Sequence, residues 1–381
     1  MPKLFIVAGE ESSDLHAANL YLSIKALSPD IQAFGLGGRR MEAAGVKLLE
    51  DMANHAVIGF WEVLKKYSYF KRVMDTSVQW IKDNKPDAII LVDSPGFNLR
   101  LAKQIQGLGI PIIYYICPQV WAWGKKRIQE IEKHIDKMMV ILPFETEIFS
   151  GKKPETVFVG HPLLDIMKIN KTRQVLCSES NLKVDSPLIT FLPGSRHQEI
   201  EHHLPVMFAA GEIIHHQNPE AQFVLVLANP RFLARVQEMA ASHSYKVTIA
   251  TEDKYDWRAA SDVAMVCSGT ATLETAILGV PMVIVYRVAW MTYFLARLLI
   301  KIPYIGLANV VAEKKIVPEL IQHDLTPQNL ANEIMGLLQD KDKYSVMKNE
   351  FAIVRHKLGD SGASEKAARE VLKTIRYQLS K

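Results

Sequence analysis

The chain has 381 residues, enough for two α/β domains of ordinary size. Apolar residues make up 49% and charged residues 23%, which excludes a disordered or fibrous chain. A net charge of +4 is too mild to argue for a nucleic-acid partner, although it suits phosphorylated ligands or an anionic membrane surface.

Residues 3–8 read as a first strand. The apolar run stops at Gly9, with no long apolar region or cleavage site of a signal peptide, so the expectation is a cytoplasmic protein. Gly9-Glu10-Glu11-Ser12-Ser13-Asp14 then opens a helix over 15–27. A strand, a polar Gly turn and a helix form the first step of a doubly wound sheet. One of Ser12, Ser13 and Asp14 serves as an N-cap; two acids, Glu10 and Glu11, exceed what a cap needs. Residues 31–36 give a second strand. The turn Gly37-Gly38-Arg39-Arg40 could hold a phosphate, but solvated surface cations are the favoured reading. From 57 to 84 the pattern is helical, basic and aromatic, with Phe60, Trp61, Tyr67, Phe70 and Trp80 among Lys65, Lys66, Lys71, Arg72 and Lys82. Burial against the sheet explains most of these residues, and the excess of aromatics leaves room for a membrane-facing patch. Residues 88–92 are a fully apolar central strand ending in Asp93-Ser94-Pro95-Gly96-Phe97-Asn98. An acid there lies in the crevice where such sheets place chemistry, so Asp93 is the best single candidate for a general base, against its alternative as a turn-former. A strand over 111–116 leads to Cys117-Pro118-Gln119-Val120-Trp121-Ala122-Trp123 and the basic triplet Lys125-Lys126-Arg127.

The polar stretch 168–186 reads as a domain boundary, after which the α/β rhythm resumes. A strand over 188–192 ends in Pro193-Gly194-Ser195-Arg196, and Glu199 begins the next helix. Gly194 and Ser195 can offer backbone N–H groups, and Arg196 a charge suited to phosphate. Residues 263–267 form a buried strand that turns through Ser268-Gly269-Thr270-Ala271 into a helix. The open N–H groups and dipole of that turn suit a diphosphate, and Glu274, one turn in, could reach the hydroxyls of an attached ribose. The apolar stretch 291–312 is broken by Arg297, Lys301, Pro303 and Gly306, short of the ~18 uninterrupted residues of a spanning helix. Residues 305–309 read as irregular, and helices over 329–338 and 342–379 close the chain. Cys117, Cys177 and Cys267 are dispersed, which fits a reducing compartment and no metal site. The pairs His202-His203 and His215-His216 diverge on a helix and are poor ligands.

These readings combine into an α/β fold of two Rossmann-like, doubly wound domains facing each other across a cleft, the glycosyltransferase-B architecture, with a C-terminal helix returning to the first domain. The expected boundaries are 1–167 for an acceptor domain, 187–355 for a donor domain and 356–381 for the returning helix. The ordered motifs Gly9-Glu10-x-Ser12-x-Asp14-Leu15-His16, Gly59-Phe60-x-Glu62-Val63-Leu64, Asp93 to Asn98, Trp121-Ala122-Trp123, Leu142-Pro143-Phe144-Glu145, Gly160-His161, Leu192 to Arg196, Ser268 to Glu274, Tyr286-Arg287, Asn309 and Glu319 to Gln322 resemble the lipid-A-disaccharide synthase family over nearly the whole chain. The chain departs from that pattern at Glu11, Ser13 and Ala17, and at Gly96, where many members carry a second Asp.

The resemblance implies an inverting glycosyltransferase without cofactor or metal. It would join UDP-2,3-diacylglucosamine to 2,3-diacylglucosamine 1-phosphate, forming a β-1,6 disaccharide and releasing UDP. It implies Asp93 as base, with Glu10 as second choice. Ser12 and Asp14 would position phosphate or acceptor. Gly194, Ser195, Arg196, Glu199, Ser268, Gly269, Thr270, Ala271, Glu274, Asn309, Glu319 and Gln322 would form the donor side. The partners implied are the two acylated sugars and, peripherally, the inner-membrane surface; the long C-terminal helix is compatible with a homodimer. Competing readings are a 2-epimerase or cell-wall glycosyltransferase using an unacylated UDP sugar, a catalytically silent nucleotide binder that docks on membranes, and an amphipathic adaptor.

Overall fold

A computed structural model describes residues 1–53, 67–121, 126–289, 293 and 303–379. Two compact units divide the chain: Met1–Asp165 together with Leu358–Lys381, and Ile166–Lys357.

The first unit is built on seven parallel strands, β1 (Lys3–Ala8), β2 (Gln32–Gly37), β3 (Lys47–Asp51), β4 (Ala88–Val92), β5 (Ile112–Tyr115), β6 (Lys137–Val140) and β7 (Glu155–Phe158). Their order is β3-β2-β1-β4-β5-β6-β7. Every residue of β4, β5 and β6 is buried, which is why β4 and β5 read as continuous runs without alternation, while the buried Lys137 at the start of β6 is paired. The two-residue period of β1 sends Leu4, Ile6 and Ala8 to one face and Phe5 and Val7 to the other. On the first face lie the helix Glu11–Leu27 and the C-terminal helix Ala363–Leu379, whose Ala367, Ala368, Val371 and Ile375 are buried there. On the second lie the helices Tyr67–Asn84 and Pro95–Gln104. Trp80 stacks beside Phe5 and Phe34 at 5.1 and 4.9 Å, so the described part of the aromatic, basic helix packs on the sheet. Phe60, Trp61 and the other residues of 54–66 lie outside the described residues.

The second unit carries six parallel strands, β8 (Leu188–Leu192), β9 (Gln222–Val226), β10 (Val247–Ala250), β11 (Val263–Cys267), β12 (Met282–Tyr286) and β13 (Glu319–Ile321), in the order β10-β9-β8-β11-β12-β13. The stretch 168–186, polar in sequence, contributes the helix Arg173–Ser180. The Arg173 guanidinium donates to the Val184, Ser186 and Ala260 carbonyls and to Asp262, fastening that stretch to the unit. Residues 305–309 differ from their reading as irregular: they lead into a short helix, Leu307–Ala312, anchored by Asn309. The helix Lys341–Lys357 ends this unit. In the first unit Asp165 then caps the returning helix by accepting from the Gly362 and Ser364 N–H groups, and Lys137 pairs with Glu370 at 2.8 Å. Among the described residues no helix is long and apolar enough to cross a membrane.

In both sheets the connectivity reverses once, between β1 and β4 and between β8 and β11. Such a reversal leaves a crevice beyond the strand ends.

Candidate active site

In the first unit the crevice lies between the turns after β1 and β4. Asp93 and Ser94 follow β4 with φ of 48° and 44°, two successive non-glycine residues in the left-handed region. Each such residue costs on the order of 1–3 kcal/mol and persists only where neighbours enforce it. Here they do. The Asp93 N–H donates to the Tyr115 carbonyl at 3.0 Å, and the Asp93 carbonyl accepts from Asn98 Nδ2 at 2.7 Å and from the Tyr114 hydroxyl. Pro95 opens the following helix, where a missing N–H costs nothing. The backbone of Asp93 is thereby pinned. Burial pushes its carboxyl up to about 6, the charge of Glu10 adds to the rise, and a bond from the Ser94 N–H opposes it. A carboxylate so tuned is poised to take a proton near neutral pH.

Glu10 is exposed at the end of β1. Ser13, not Ser12, braces this turn: its hydroxyl accepts from the Glu10 N–H at 2.9 Å and donates to the Glu10 carbonyl at 2.8 Å. Ser12 is exposed in the first turn of the helix. Asp14 is buried and accepts from the N–H groups of Gly38, Arg40 and Met41 at 2.7, 3.0 and 3.2 Å. The chain's own carboxylate therefore fills the anion-holding place of the Gly37–Arg40 turn. A Cβ on Gly38 would come within 2.8 Å of an Asp14 oxygen, so only glycine fits there.

Three residues without an assigned role in the sequence reading join this end of the sheet. Glu145, 1% exposed, accepts from the N–H groups of Leu142 and Ile141 and from the Trp121 indole at 3.2 Å. Burial pushes its carboxyl up to about 7. Cys117 lies near both Glu145 and Asp93, whose charges add to burial in raising its thiol. Phe144 meets Trp121 edge-on at 5.5 Å. Ala122 and Trp123 lie outside the described residues. His16 and His161 are pushed down to about 4 and about 3, chiefly by burial, and so are neutral.

In the second unit the crevice lies between the turns after β8 and β11, and these differ. After β8, Glu199 folds back so that its Oε2 accepts from the Ser195 and Arg196 N–H groups at 2.7 and 3.1 Å, while its Oε1 pairs with Arg196 Nη1 at 2.8 Å. This is a helix cap. Gly194, at φ 116°, has no room for a Cβ against Glu199. After β11 no side chain among the described residues caps the turn. Gly269 has φ 131° and open space around it, and Thr270 is exposed. The Ser268 hydroxyl is turned away, donating to the Ile305 carbonyl at 2.7 Å. The first N–H groups of the helix Thr270–Ile277, including that of Ala271, have no intrahelical acceptor. Glu274 pairs with Arg258, a partner absent from the sequence reading, and accepts from Tyr255 at 3.5 Å.

Asn309, Glu319 and Gln322 have committed their polar atoms to the chain. The fully buried Asn309 amide donates to the Val317 carbonyl and Glu319 and accepts from the Ile316 and Val317 N–H groups. Glu319 accepts from the Ile305 and Gly306 N–H groups. Gln322 clasps Val288, accepting from its N–H at 2.9 Å and donating to its carbonyl at 3.1 Å. Among the described residues no group of three His, Cys, Asp or Glu side chains could hold a metal ion.

Comparison with known proteins follows the same lines. The family model described as lipid-A-disaccharide synthetase matches residues 4–373. The lipid-A-disaccharide synthase of Syntrophus aciditrophicus (strain SB) is 40% identical over 374 residues, covering 98% of each chain. That of Nitrosococcus oceani is 39% identical over 358 residues, covering 94% of this chain and 92% of its own. Among solved structures, the calicheamicin glycosyltransferase CalG4 superposes with a TM-score of 0.63 at 14% identity over 98% of both chains. A UDP-GlcNAc 2-epimerase from Neisseria meningitidis, bound to UDP-GlcNAc, gives 0.64 at 13% identity over 99% of this chain and 100% of its own. At such identities the likeness is one of fold.

Proposed function

The chain belongs to the lipid-A-disaccharide synthetase family, and from that membership we infer that it joins UDP-2,3-diacylglucosamine to 2,3-diacylglucosamine 1-phosphate. It is a glycosyltransferase, and its products are the β-1,6-linked lipid A disaccharide 1-phosphate and UDP.

Acceptor activation falls to the first unit. Asp93 takes the proton of the acceptor's 6-hydroxyl as that oxygen bonds to the donor's anomeric carbon. The bond from that carbon to the diphosphate breaks, and its electron pair leaves with UDP, inverting the centre. The observation that carries this reading is the pinned Asp93, its carboxyl raised to about 6 beside Glu10. Glu10 is the alternative base, and its charge also keeps Asp93 basic. Ser12, exposed in the first turn, is available to the acceptor, and Asp14 sets the neighbouring turn.

Donor binding falls to the second unit. The open turn Ser268–Ala271 and the exposed Arg196 offset the charge developing on the diphosphate, a role that requires no metal. Glu274, steadied by Arg258, accepts from the ribose hydroxyls. Gly194, Ser195 and Glu199 hold Arg196 in place, and Asn309, Glu319 and Gln322 act through the loops they brace. The acyl chains of both substrates suit a reaction at a membrane surface, on which the protein would dock peripherally. UDP release should depend on the acceptor and need no added metal. Asp93→Ala should lower turnover by roughly 10²–10⁴ while UDP affinity stays unchanged. Activity within tenfold of the parent would move the base elsewhere, to Glu10 first.

A further inference from the structure

His203, in the helix His197–Gln217, is 1% exposed. Its Nδ1 lies 3.0 Å from the Pro193 carbonyl and its Nε2 2.9 Å from the Arg287 N–H. A carbonyl can only accept and an amide N–H can only donate. The two partners thus fix one neutral tautomer, with the proton on Nδ1 and a lone pair on Nε2. Pro193 opens the turn after β8, and Arg287 follows β12. These strands flank β11, whose end carries the open turn at Ser268–Ala271. One imidazole therefore spans the β11 end and ties the loops on either side of it. The tie continues outward, since the Arg287 guanidinium donates to the Gln322 and Leu325 carbonyls, and Gln322 clasps Val288.

We propose that His203 is a positioning residue for the donor, holding the β8 and β12 loops at the separation that lets a nucleoside diphosphate seat on the turn between them. The proposal rests on the reading that Arg196 and the Ser268–Ala271 turn hold the diphosphate. His203 touches neither substrate. It acts through the backbone of Pro193 and Arg287, and so it governs donor affinity rather than proton transfer.

The charges around the ring also give it a pH signature. Burial, joined by His202, holds the group below its ordinary value against the Pro193 carbonyl and Glu199, which favour a protonated ring. The Tyr286 ring, 6.0 Å away, adds no charge at neutral pH. A second proton on Nε2 would face the Arg287 N–H and break the tie. Donor affinity should thus weaken as pH falls through the titration of His203.

The test is UDP affinity by calorimetry, with donor and acceptor KM and kcat, for His203→Leu, His203→Gln and Arg196→Ala in the full chain. Leucine fills the space but makes neither bond; glutamine can donate with one end and accept with the other. The expected result is UDP affinity and donor KM about tenfold worse in His203→Leu, with kcat and acceptor KM little changed and substantial rescue in His203→Gln. If Arg196→Ala weakens UDP and His203→Leu does not, the role of His203 is overturned while the donor reading stands. If Arg196→Ala leaves UDP affinity unchanged, the donor reading itself falls. Should His203→Leu fail to fold, His203→Met, which also makes neither bond, takes its place. UDP affinity lower in His203→Met than in His203→Gln supports the tie, and equal affinity in the two overturns it.

Discussion

The two units share a strand order up to one extra edge strand, yet their crevices carry opposite chemistry. At the first, Glu10 and Asp93 face the same space and raise the cost of ionising Asp93. At the second, a turn that no described side chain caps lies near an exposed arginine. In each unit a neighbouring anion-holding turn is filled by the chain itself, by Asp14 on Gly38–Met41 and by Glu199 on Ser195–Arg196. A doubly wound sheet thus supplies only a place. Whether the place accepts a proton or a phosphate depends on which residues end its strands and on which turns are left unfilled.

The strongest way to break this comparison is to neutralise the acid crevice. Asp93→Asn should abolish turnover, by a factor of 10² or more, and at the same time raise stability. The sign follows from a carboxyl raised above its unfolded value: protonated Asp93 is favoured by the fold, and that stability is lost as pH rises from about 4 through about 6. Urea unfolding should show Asp93→Asn more stable than the parent by on the order of 1–3 kcal/mol at pH 7 and equal to it below pH 4. The parent's kcat/KM should fall tenfold per pH unit below about 6, because the base must be ionised in the free enzyme. A kcat/KM that is flat down to pH 5 would remove Asp93 from proton transfer.

The filled turns provide a finer test. Asp14→Ala should cost about 1–2 kcal/mol of stability, the order of a lost buried cap, with UDP affinity unmoved, because the turn it fills lies in the first unit. Glu199→Gln should cost less, about 0.5–1 kcal/mol, and should leave UDP affinity equal or better, because it removes a negative charge beside Arg196. Loss of UDP binding in Glu199→Gln would mean that this carboxylate touches the donor directly. The smallest effect belongs to Glu11, whose 3.7 Å pair with Arg40 is exposed on both sides. Glu11→Ala should change stability by under about 0.5 kcal/mol and leave turnover intact.

Much of this was readable in the chain. The uninterrupted apolar runs of β4 and β11 announced central parallel strands, and the polar or glycine turn after each marked the crevice ends. Asp93 was legible because an acid directly after a central strand lies where such sheets open their crevice, although the same position also suits a turn-forming Asp. What stayed hidden was the pairing of side chains distant in sequence. Nothing in Asp14 points to Gly38, and nothing in Glu274 to Arg258. Asn309 and Gln322 stand in recognisable motifs, but only the folded backbone shows that their amides hold loops rather than lie open. Glu145 stood inside a recognised motif as well, and its burial beneath Trp121 depends on β6 and the loop after β5 meeting. The helix Leu307–Ala312 was obscured because six residues carry too little periodicity to stand out.

The returning helix Ala363–Leu379 has a consequence for how the protein is made. The face of the first sheet that holds Leu4, Ile6 and Ala8 is closed by Ala367, Val371 and Ile375, which leave the ribosome only after the whole second unit. While the whole Ile166–Lys357 unit is synthesised, at roughly 5–20 residues per second, that face stays partly bare for roughly 10–40 s. The second unit can finish folding first, although it is translated later. The nascent first unit is therefore the natural client of whatever chaperones meet the growing chain, and a ribosome stalled anywhere in the second unit would strand an N-terminal half prone to aggregation.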